Sequence, residues 1–298
     1  MTDEVRLLGV PTDYGTNRRG VDMGPSAIRY AGLADALDEM GLDVTDTGNL
    51  ATPRAGARDG RHETEARFLA EVMEVTGMLS DAVADARADG AVPVVLGGDH
   101  SIAIGTLAGA AREEDVGVVW FDAHADCNTP ETSPSGNVHG MPLAAALGWG
   151  SFEDFDWAHA AGLAEENVAL VGLRDLDPGE RAAIRASDAT AFTMREIDER
   201  GIGPVVADAL DAASAGVDAL HVSFDLDFLD PNEAPGVGTP VRGGATYREA
   251  HAAMEIVADR DDVRSLEVVE VNPILDRQNE TAELAVELLC SAFGRRVL

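Results

Sequence analysis

Six short runs of the chain are rich in β-branched and other apolar residues, most of them apolar at consecutive positions: 5–10, 92–96, 116–121, 168–172, 219–224 and 265–269. A strand with one wet face alternates apolar and polar side chains, whereas runs of this kind mark strands covered on both faces, as in a parallel sheet between helices. Longer segments of helical periodicity separate them, at 25–40, 62–88, 101–112, 203–213, 246–258 and 279–293. The first opens on Pro25, which suits an initial helical turn because it has no N–H to leave unpaired, and stops at Gly41. Strand and helix alternate from end to end, the order that builds βαβ units. The pattern predicts one three-layer α/β/α domain over residues 1–298 with a mostly parallel, doubly wound sheet. No repeat of solenoid length and no low-complexity linker interrupts it, and 52–61 and 127–137 read as long loops.

The ionisable residues follow the strands. Asp99 and His100 come just after the run ending at 96, Asp122, His124 and Asp126 after that ending at 121, Asp225 and Asp227 after that ending at 224, and Glu270 after 269. Open α/β sheets bind ligands outside the carboxyl ends of their strands, so four clusters far apart in sequence are predicted to meet in one crevice.

Charge narrows what can enter that crevice. The 298 residues carry 22 Lys+Arg against 54 Asp+Glu, a net charge of −32, and every one of the 22 cations is an arginine. Such a surface repels phosphate backbones and anionic lipid, which argues against nucleic-acid partners and a membrane-surface role and leaves cationic small molecules as natural guests. Acidity without lysine is the expected dress of a halophilic protein, because molar salt shortens the Debye length to about 3 Å and screens self-repulsion. With 45% hydrophobic residues the chain still has the means to bury a substantial core. Met1-Thr2-Asp3-Glu4-Val5-Arg6 shows no basic region ahead of an apolar one, and no apolar stretch approaches the roughly 20 residues of a membrane span. The expectation is a soluble cytoplasmic protein, with Cys127 and Cys290 too few for a disulfide framework.

Asp122, His124 and Asp126 are spaced two apart, so in extended backbone they share a face. Asp225 and Asp227 repeat the device, and His100 adds an imidazole. Four carboxylates packed together raise one another's pKa unless cations neutralise them. The ligand count exceeds one ion and fits two divalent ions about 3.5–4 Å apart sharing carboxylates. Oxygen-rich ligation with two nitrogens suits Mn²⁺, while ligand type alone leaves Zn²⁺, Co²⁺ and Fe²⁺ open. A lone Asp-x-His-x-Asp reads equally well as a capped loop with a surface ion pair; three strand exits bearing such residues leave that reading little room. Asp99 reads as the cap of the helix starting near Ser101 or as a group orienting His100, and His221, inside a strand, as a core histidine or one supporting the site. His62, His159 and His251 belong to no such pattern, and Cys127 reads as a small buried neighbour.

Gly97-Gly98-Asp99-His100-Ser101, Asp122-Ala123-His124-Ala125-Asp126 and Ser223-Phe224-Asp225-Leu226-Asp227 resemble the three metal signatures of the ureohydrolases, manganese enzymes that hydrolyse guanidino compounds. Asn128-Thr129-Pro130, Ser135-Gly136-Asn137-Val138-His139-Gly140, the stretch from Gly172-Leu173-Arg174 to Asp177-Pro178-Gly179-Glu180, Gly238-Thr239-Pro240, Gly243-Gly244-Ala245-Thr246 and Glu270-Val271-Asn272-Pro273 narrow the resemblance to the arginase family. It covers the chain from about Gly9 onward. It implies an arginase-like fold and two Mn²⁺ per subunit, one held by His100, Asp122, Asp126 and Asp225, the other by Asp122, His124, Asp225 and Asp227. It further implies that Asn128, Ser135 and Asn137 receive the α-carboxylate of L-arginine, that Asp177 receives the α-amino group with Glu180 in support, and that Thr246 and Glu270 line the guanidinium end. His139 matches the histidine usually assigned to proton transfer, and the assembly implied is a homo-oligomer, trimer or hexamer.

The chemistry follows from the substrate. Guanidinium is cationic, resonance-stabilised and a poor electrophile, so the expectation is a hydroxide bridging two cations, which lower the pKa of water from about 15.7 toward neutrality. Asp126 would accept its remaining hydrogen bond, Glu270 would pair with the guanidinium fork, and His139 would bring a proton to the departing amine. Agmatine lacks the carboxylate that the Asn/Ser/Asn set would bind, so arginine is favoured over it. The alternatives are an agmatinase or other guanidino-compound ureohydrolase, and a non-catalytic arginine-binding regulatory subunit, whose expected mark is a missing ligand. A dinuclear phosphoesterase needs cationic groups to clamp phosphate, and no basic cluster accompanies these motifs.

Overall fold

The structure, a computed structural model, describes residues 4–16, 18–53 and 66–296. Along them run β1 (Glu4–Val10), α1 (Gly24–Tyr30), α2 (Leu33–Asp38), β2 (Asp43–Asn49), α3 (Leu69–Ala88), β3 (Val92–Gly97), α4 (Ala103–Ala110), β4 (Val116–Phe121) and α5 (Pro142–Ala146). There follow β5 (Val168–Leu173), α6 (Pro178–Ala186), β6 (Thr190–Thr193), α7 (Met194–Arg200), α8 (Ile202–Ala213), β7 (Ala219–Asp225), α9 (Tyr247–Ala258), β8 (Val263–Val269) and α10 (Glu280–Ala292). The eight strands form one sheet in the order β2-β1-β3-β8-β7-β4-β5-β6, every pair parallel.

Both faces are covered, which is why most of the central strand positions are apolar at consecutive residues. Successive residues feed opposite cores: Leu7, Val94 and Val119 pack with Ile28, Leu37, Leu210 and Leu288 of the helices on one face. Leu8, Val95 and Val118 pack with Val75, Leu79 and Leu107 on the other. The result is the three-layer α/β/α architecture expected from the pattern.

Six strands coincide with the six predicted runs; the two others, β2 and β6, are the two edges of the sheet. An edge strand faces water along one side and needs no apolar run: β2 reads Asp-Val-Thr-Asp-Thr-Gly-Asn and is largely exposed, and β6 has only four residues. The helix expected over 25–40 is two, α1 and α2, because Gly32 between them adopts φ 89°, a left-handed value that separates the first helix from the second. The segment expected at 62–88 is described as α3 from Leu69, its start at His62 lying outside the described residues, as does most of the loop at 52–61. Helices α5, α6 and α7 are short and were not evident from periodicity.

Strand order decides the site. β3, β8, β7 and β4 are neighbours in that order, and the register brings Leu96 beside Val268, Asp225 beside Val269 and Phe121 beside Phe224. Four exits therefore end level along the middle of one sheet edge. At the β3 exit the chain lies so close to the segment after β1 that a Cβ on Gly98 would stand 2.2 Å from the Thr12 carbonyl oxygen. The Gly98 and Asp99 amides donate instead to the carbonyls of Val10 and Thr12, at 2.9 and 3.1 Å.

Candidate metal centre

Carboxylates shape the acidic strand exits. The His124 amide donates to Asp122 Oδ1 at 2.7 Å, and the Asp227 amide donates to Asp225 Oδ1 at 2.7 Å, the same tight turn on two strands. Asp126 closes the β4 motif at φ 49°. That conformation is disfavoured for a side-chain-bearing residue and is held by Glu180 Oε1, which accepts from the amides of both Ala125 and Asp126, at 3.1 and 2.9 Å. His100 follows Asp99, whose fully buried carboxylate caps the next turn by accepting from the Ser101 amide and ties down the Gly15 amide, both at 3.0 Å.

The side chains converge as the spacing predicts. His100 Nδ1 lies 3.2 Å from Asp122 Oδ2, 3.0 Å from Asp126 Oδ2 and 3.2 Å from Asp225 Oδ2. His124 Nδ1 lies 3.3 Å from Asp122 Oδ1 and 3.1 Å from Asp227 Oδ2. His100, Asp122 and Asp225 thus form one group able to hold a cation, and Asp122, His124 and Asp227 a second, with Asp122 in both. Donors at right angles about 2.1 Å from a shared ion stand about 3 Å apart, so these separations are those of a coordination shell. His100 Nδ1 is buried and, among the described residues, makes no hydrogen bond despite its three carboxylate neighbours, so the donor set fits divalent cations better than an internal hydrogen-bond network.

Electrostatics points the same way. Burial, reinforced by Asp122, pushes Asp126 up to about 6. Burial and its acidic neighbours raise Asp225 well above the carboxylate range, and burial and Asp122 raise Asp227. Asp122 goes down, because the adjacent His100 and His124 imidazoles outweigh its burial. Burial opposes charge on both imidazoles, but the surrounding aspartates prevail and raise each above 6.5. Without cations the cluster holds extra protons; with them it can release those protons.

Glu270 leaves β8 at φ 65°. Its Oε1 accepts from the His100 amide at 3.0 Å and stands 3.1 Å from His139 Nδ1, while its Oε2 is buried without a partner among the described residues. Burial opposes the charge on His139, yet the Glu270 bond raises it to about 9; the same bond outweighs burial on Glu270 and lowers it. The pair is ionic, with the His139 side chain 17% exposed.

A cavity of about 130 Å³ adjoins the cluster, lined by His124, Asp126 and Asp225 from the strand exits and by Asn128, Ser135 and Asp177 from the loops. His139, Glu180 and Thr239 also reach it. Asn128 Nδ2 donates to Asp177 Oδ2 at 2.8 Å, and Ser135 Oγ accepts from the Asn137 amide at 3.1 Å. Asn137 turns its side-chain Nδ2 onto the Thr16 carbonyl at 3.2 Å, and its buried Oδ1 has no partner among the described residues. Asp177 and Glu180 form the capping box of α6, Glu180 Oε2 accepting from the Asp177 amide at 3.0 Å; burial and Asp126 push Glu180 up to about 7.

Thr246 is brought elsewhere. It is the exposed N-cap of α9, its hydroxyl donating to Glu249 Oε2 at 2.8 Å. The threonine at the cavity is Thr239, whose hydroxyl donates to Asp227 Oδ2 at 2.9 Å. The sequence marks Gly238-Thr239-Pro240 as a motif but gives Thr239 no site role. Two further residues support the cluster without standing among the sequence candidates. Arg174, partly buried, donates to the carbonyls of Asp227, Leu229 and Val241 at 2.5, 3.1 and 2.9 Å and so straps the Asp227 loop. Trp120 stacks on His100 with centroids 4.2 Å apart and donates Nε1–H to Asp122 Oδ2 at 3.0 Å. Cys127 is 1% exposed, its thiol pushed up by burial and Glu180.

The chain matches the family model described as "Arginase family" over residues 3–294. The arginase of Brevibacillus brevis is 48% identical over 302 residues, covering 100% of both chains. The solved arginase of Bacillus caldovelox superposes with a TM-score of 0.94 at 46% identity over 99% of each chain. An Entamoeba histolytica arginase solved in complex with L-ornithine gives 0.89 at 33% identity, covering 98% of this chain and 99% of that one.

Proposed function

The chain belongs to the arginase family and is a hydrolase, and from that premise we propose that it converts L-arginine and water to L-ornithine and urea with two Mn²⁺ ions. The observation that carries the reading is the pair of ligand groups sharing Asp122, next to a cavity that also reaches Asn128, Ser135 and Asp177. His100, Asp122, Asp126 and Asp225 would hold one ion and Asp122, His124, Asp225 and Asp227 the other. When bound, such a pair of cations makes hydroxide available as a nucleophile near neutral pH.

The remaining work falls to side chains. Glu270 receives the guanidinium fork on Oε2, the buried oxygen without a partner among the described residues, and holds the planar cation in register. Asp126, lining the cavity, takes a hydrogen bond from the attacking oxygen. His139 is raised to about 9 and so arrives protonated at neutral pH; partly exposed, it carries that proton to the departing amine and recovers another from solvent. Asn128, Ser135 and Asn137 receive the α-carboxylate, and Asp177, steadied by Glu180, the α-ammonium. Agmatine would leave the carboxylate-binding groups without a partner, and each charge-assisted bond lost costs about 1.5–3 kcal/mol, roughly ten- to a hundredfold in kcat/KM.

The test is urea release from L-arginine and from agmatine in molar salt with Mn²⁺, beside a chelated control. Chelator-sensitive urea from arginine is expected. Preference for agmatine would overturn the carboxylate assignment and favour an agmatinase, and arginine binding without turnover would point to the regulatory alternative. Metal-loaded protein that shows no arginine binding and no turnover would refute the proposal.

A further inference from the structure

Between β7 and β8, leading up to the metal cluster, runs a line of buried polar side chains that the chemistry above does not use. His100 Nε2 is 2.8 Å from Ser223 Oγ, and Ser223 Oγ donates to Glu267 Oε1 at 2.8 Å. His221 Nε2 stands 3.5 Å from the same carboxylate oxygen, with its Nδ1 2.9 Å from Ser265 Oγ. All five residues are 0% exposed. The arrangement follows from the parallel register, which makes Ser223 and Glu267 direct partners and His221 and Ser265 another pair. His221, Ser223 and Asp225 then occupy one face of β7 at a period of two, ending on a candidate metal ligand.

A carboxylate in the middle of a doubly covered sheet is costly and is kept only where something answers it. Here the answer is proton bookkeeping at a single hydroxyl. Serine has one proton to give, and an ionised carboxylate only accepts. With that proton directed to Glu267, Ser223 Oγ turns a lone pair to His100 Nε2, so the neutral imidazole keeps its proton on Nε2. The other nitrogen, Nδ1, is the one facing Asp122, Asp126 and Asp225, with no hydrogen bond among the described residues. We propose that Glu267, acting through Ser223, sets which nitrogen of His100 is offered to the cation, making Ser223 and Glu267 positioning residues for the ion that His100 holds. Stacking on Trp120 fixes the ring plane, and the serine fixes its rotation in that plane.

The inference rests on His100 being a metal ligand, and the experiment separates the two. Metal content is measured on wild type, His100→Ala, Ser223→Ala, Ser223→Thr and Glu267→Gln after dialysis against graded free Mn²⁺, with the melting temperature of each metal-free variant as a check on folding. Ser223→Ala should weaken one of the two ions by about 10- to 100-fold, the scale of lost support behind a metal ligand, while the other ion is held far better. Ser223→Thr, which keeps the hydroxyl, should recover the affinity. Glu267→Gln, whose amide can donate to Ser223 and turn the hydroxyl proton onto Nε2, should weaken the same ion. If wild type binds no divalent cation, or His100→Ala binds as wild type does, the ligand assignment fails. If those two behave as expected while Ser223→Ala titrates like wild type, loses both ions equally, or is not rescued by Ser223→Thr, the relay is refuted. Should Glu267→Gln fail to fold, the Ser223 pair decides.

Discussion

Stripped of cations, the protein should lose stability as pH rises from about 5 to about 8, and Mn²⁺ should invert that slope. A carboxyl whose native pKa exceeds its unfolded one binds its proton more tightly in the folded chain, so its favourable contribution is complete below the unfolded value and is lost as pH rises through the native one. Glu180, moved from 4.5 to about 7, and Asp99 and Asp126, each moved from 3.8 to about 6, act inside this window. At about 1.4 kcal/mol per pH unit, ionising any one of them in the fold is disfavoured by roughly 3 kcal/mol. They share neighbours and do not simply add, but a net loss of several kcal/mol is expected, against a typical total of about 5–15 kcal/mol. His139 works in the same direction, its pairing with Glu270 lost only as pH rises through about 9. Asp122, Glu267 and Glu270 have the opposite sign, but their pKa values are lowered, so their contributions are lost only at more acid pH.

The assay is thermal unfolding followed by circular dichroism, in constant molar salt to screen the −32 surface charge, with chelator and with excess Mn²⁺. Metal binding displaces the extra protons, so the loaded protein should gain stability with pH, by about 2.7 kcal/mol when free metal is 100 times its dissociation constant. Asp225→Asn is the internal control: removing one buried charge should raise metal-free stability at the alkaline end while abolishing the stabilisation by Mn²⁺. A metal-free melting temperature that climbs with pH, or an Asp225→Asn variant less stable than wild type without metal, would refute the reasoning.

Glu180→Ala should leave the amides of Ala125, Asp126 and Asp177 without their acceptor, and at about 1.5–3 kcal/mol per charge-assisted bond it should cost 3 kcal/mol or more and lower Mn²⁺ content, read by denaturant midpoint and metal analysis. Unchanged values for both would mean that Asp126 keeps its geometry unaided. His139→Asn should retain both ions while slowing urea release by about 10²- to 10⁴-fold; metal loss in parallel with activity would give this side chain a structural role instead. Thiol titration should find neither cysteine reactive in the native protein, since Cys127 and Cys290 are 1% and 0% exposed and burial raises both. A fast-reacting thiol would show that the Cys127 loop opens.

Much of this molecule is local and therefore legible along the chain. The central strands declare themselves because burial on both faces leaves few polar positions between, and the acidic motifs because a period of two sets Asp122, His124 and Asp126, or Asp225 and Asp227, toward a common side. Edge strands β2 and β6 carry no such constraint, and a break such as that at Gly32 hides within a helical periodicity that continues across it. The identity of the site's neighbours is not local at all. His100 meets Asp122 and Asp225 only because β8 and β7, the last strands in the chain, are inserted between β3 and β4. Thr246 is an N-cap while Thr239 reaches Asp227, although both sit in short polar stretches that look alike in one dimension. Glu267 is one acidic residue in an apolar run until the β7–β8 register sets it against Ser223 and, through it, against His100. Composition and periodicity determined which segments had to be buried and where charge had to collect; parallel pairing between distant strands, which depends on how whole layers pack, decided which of those charges touch.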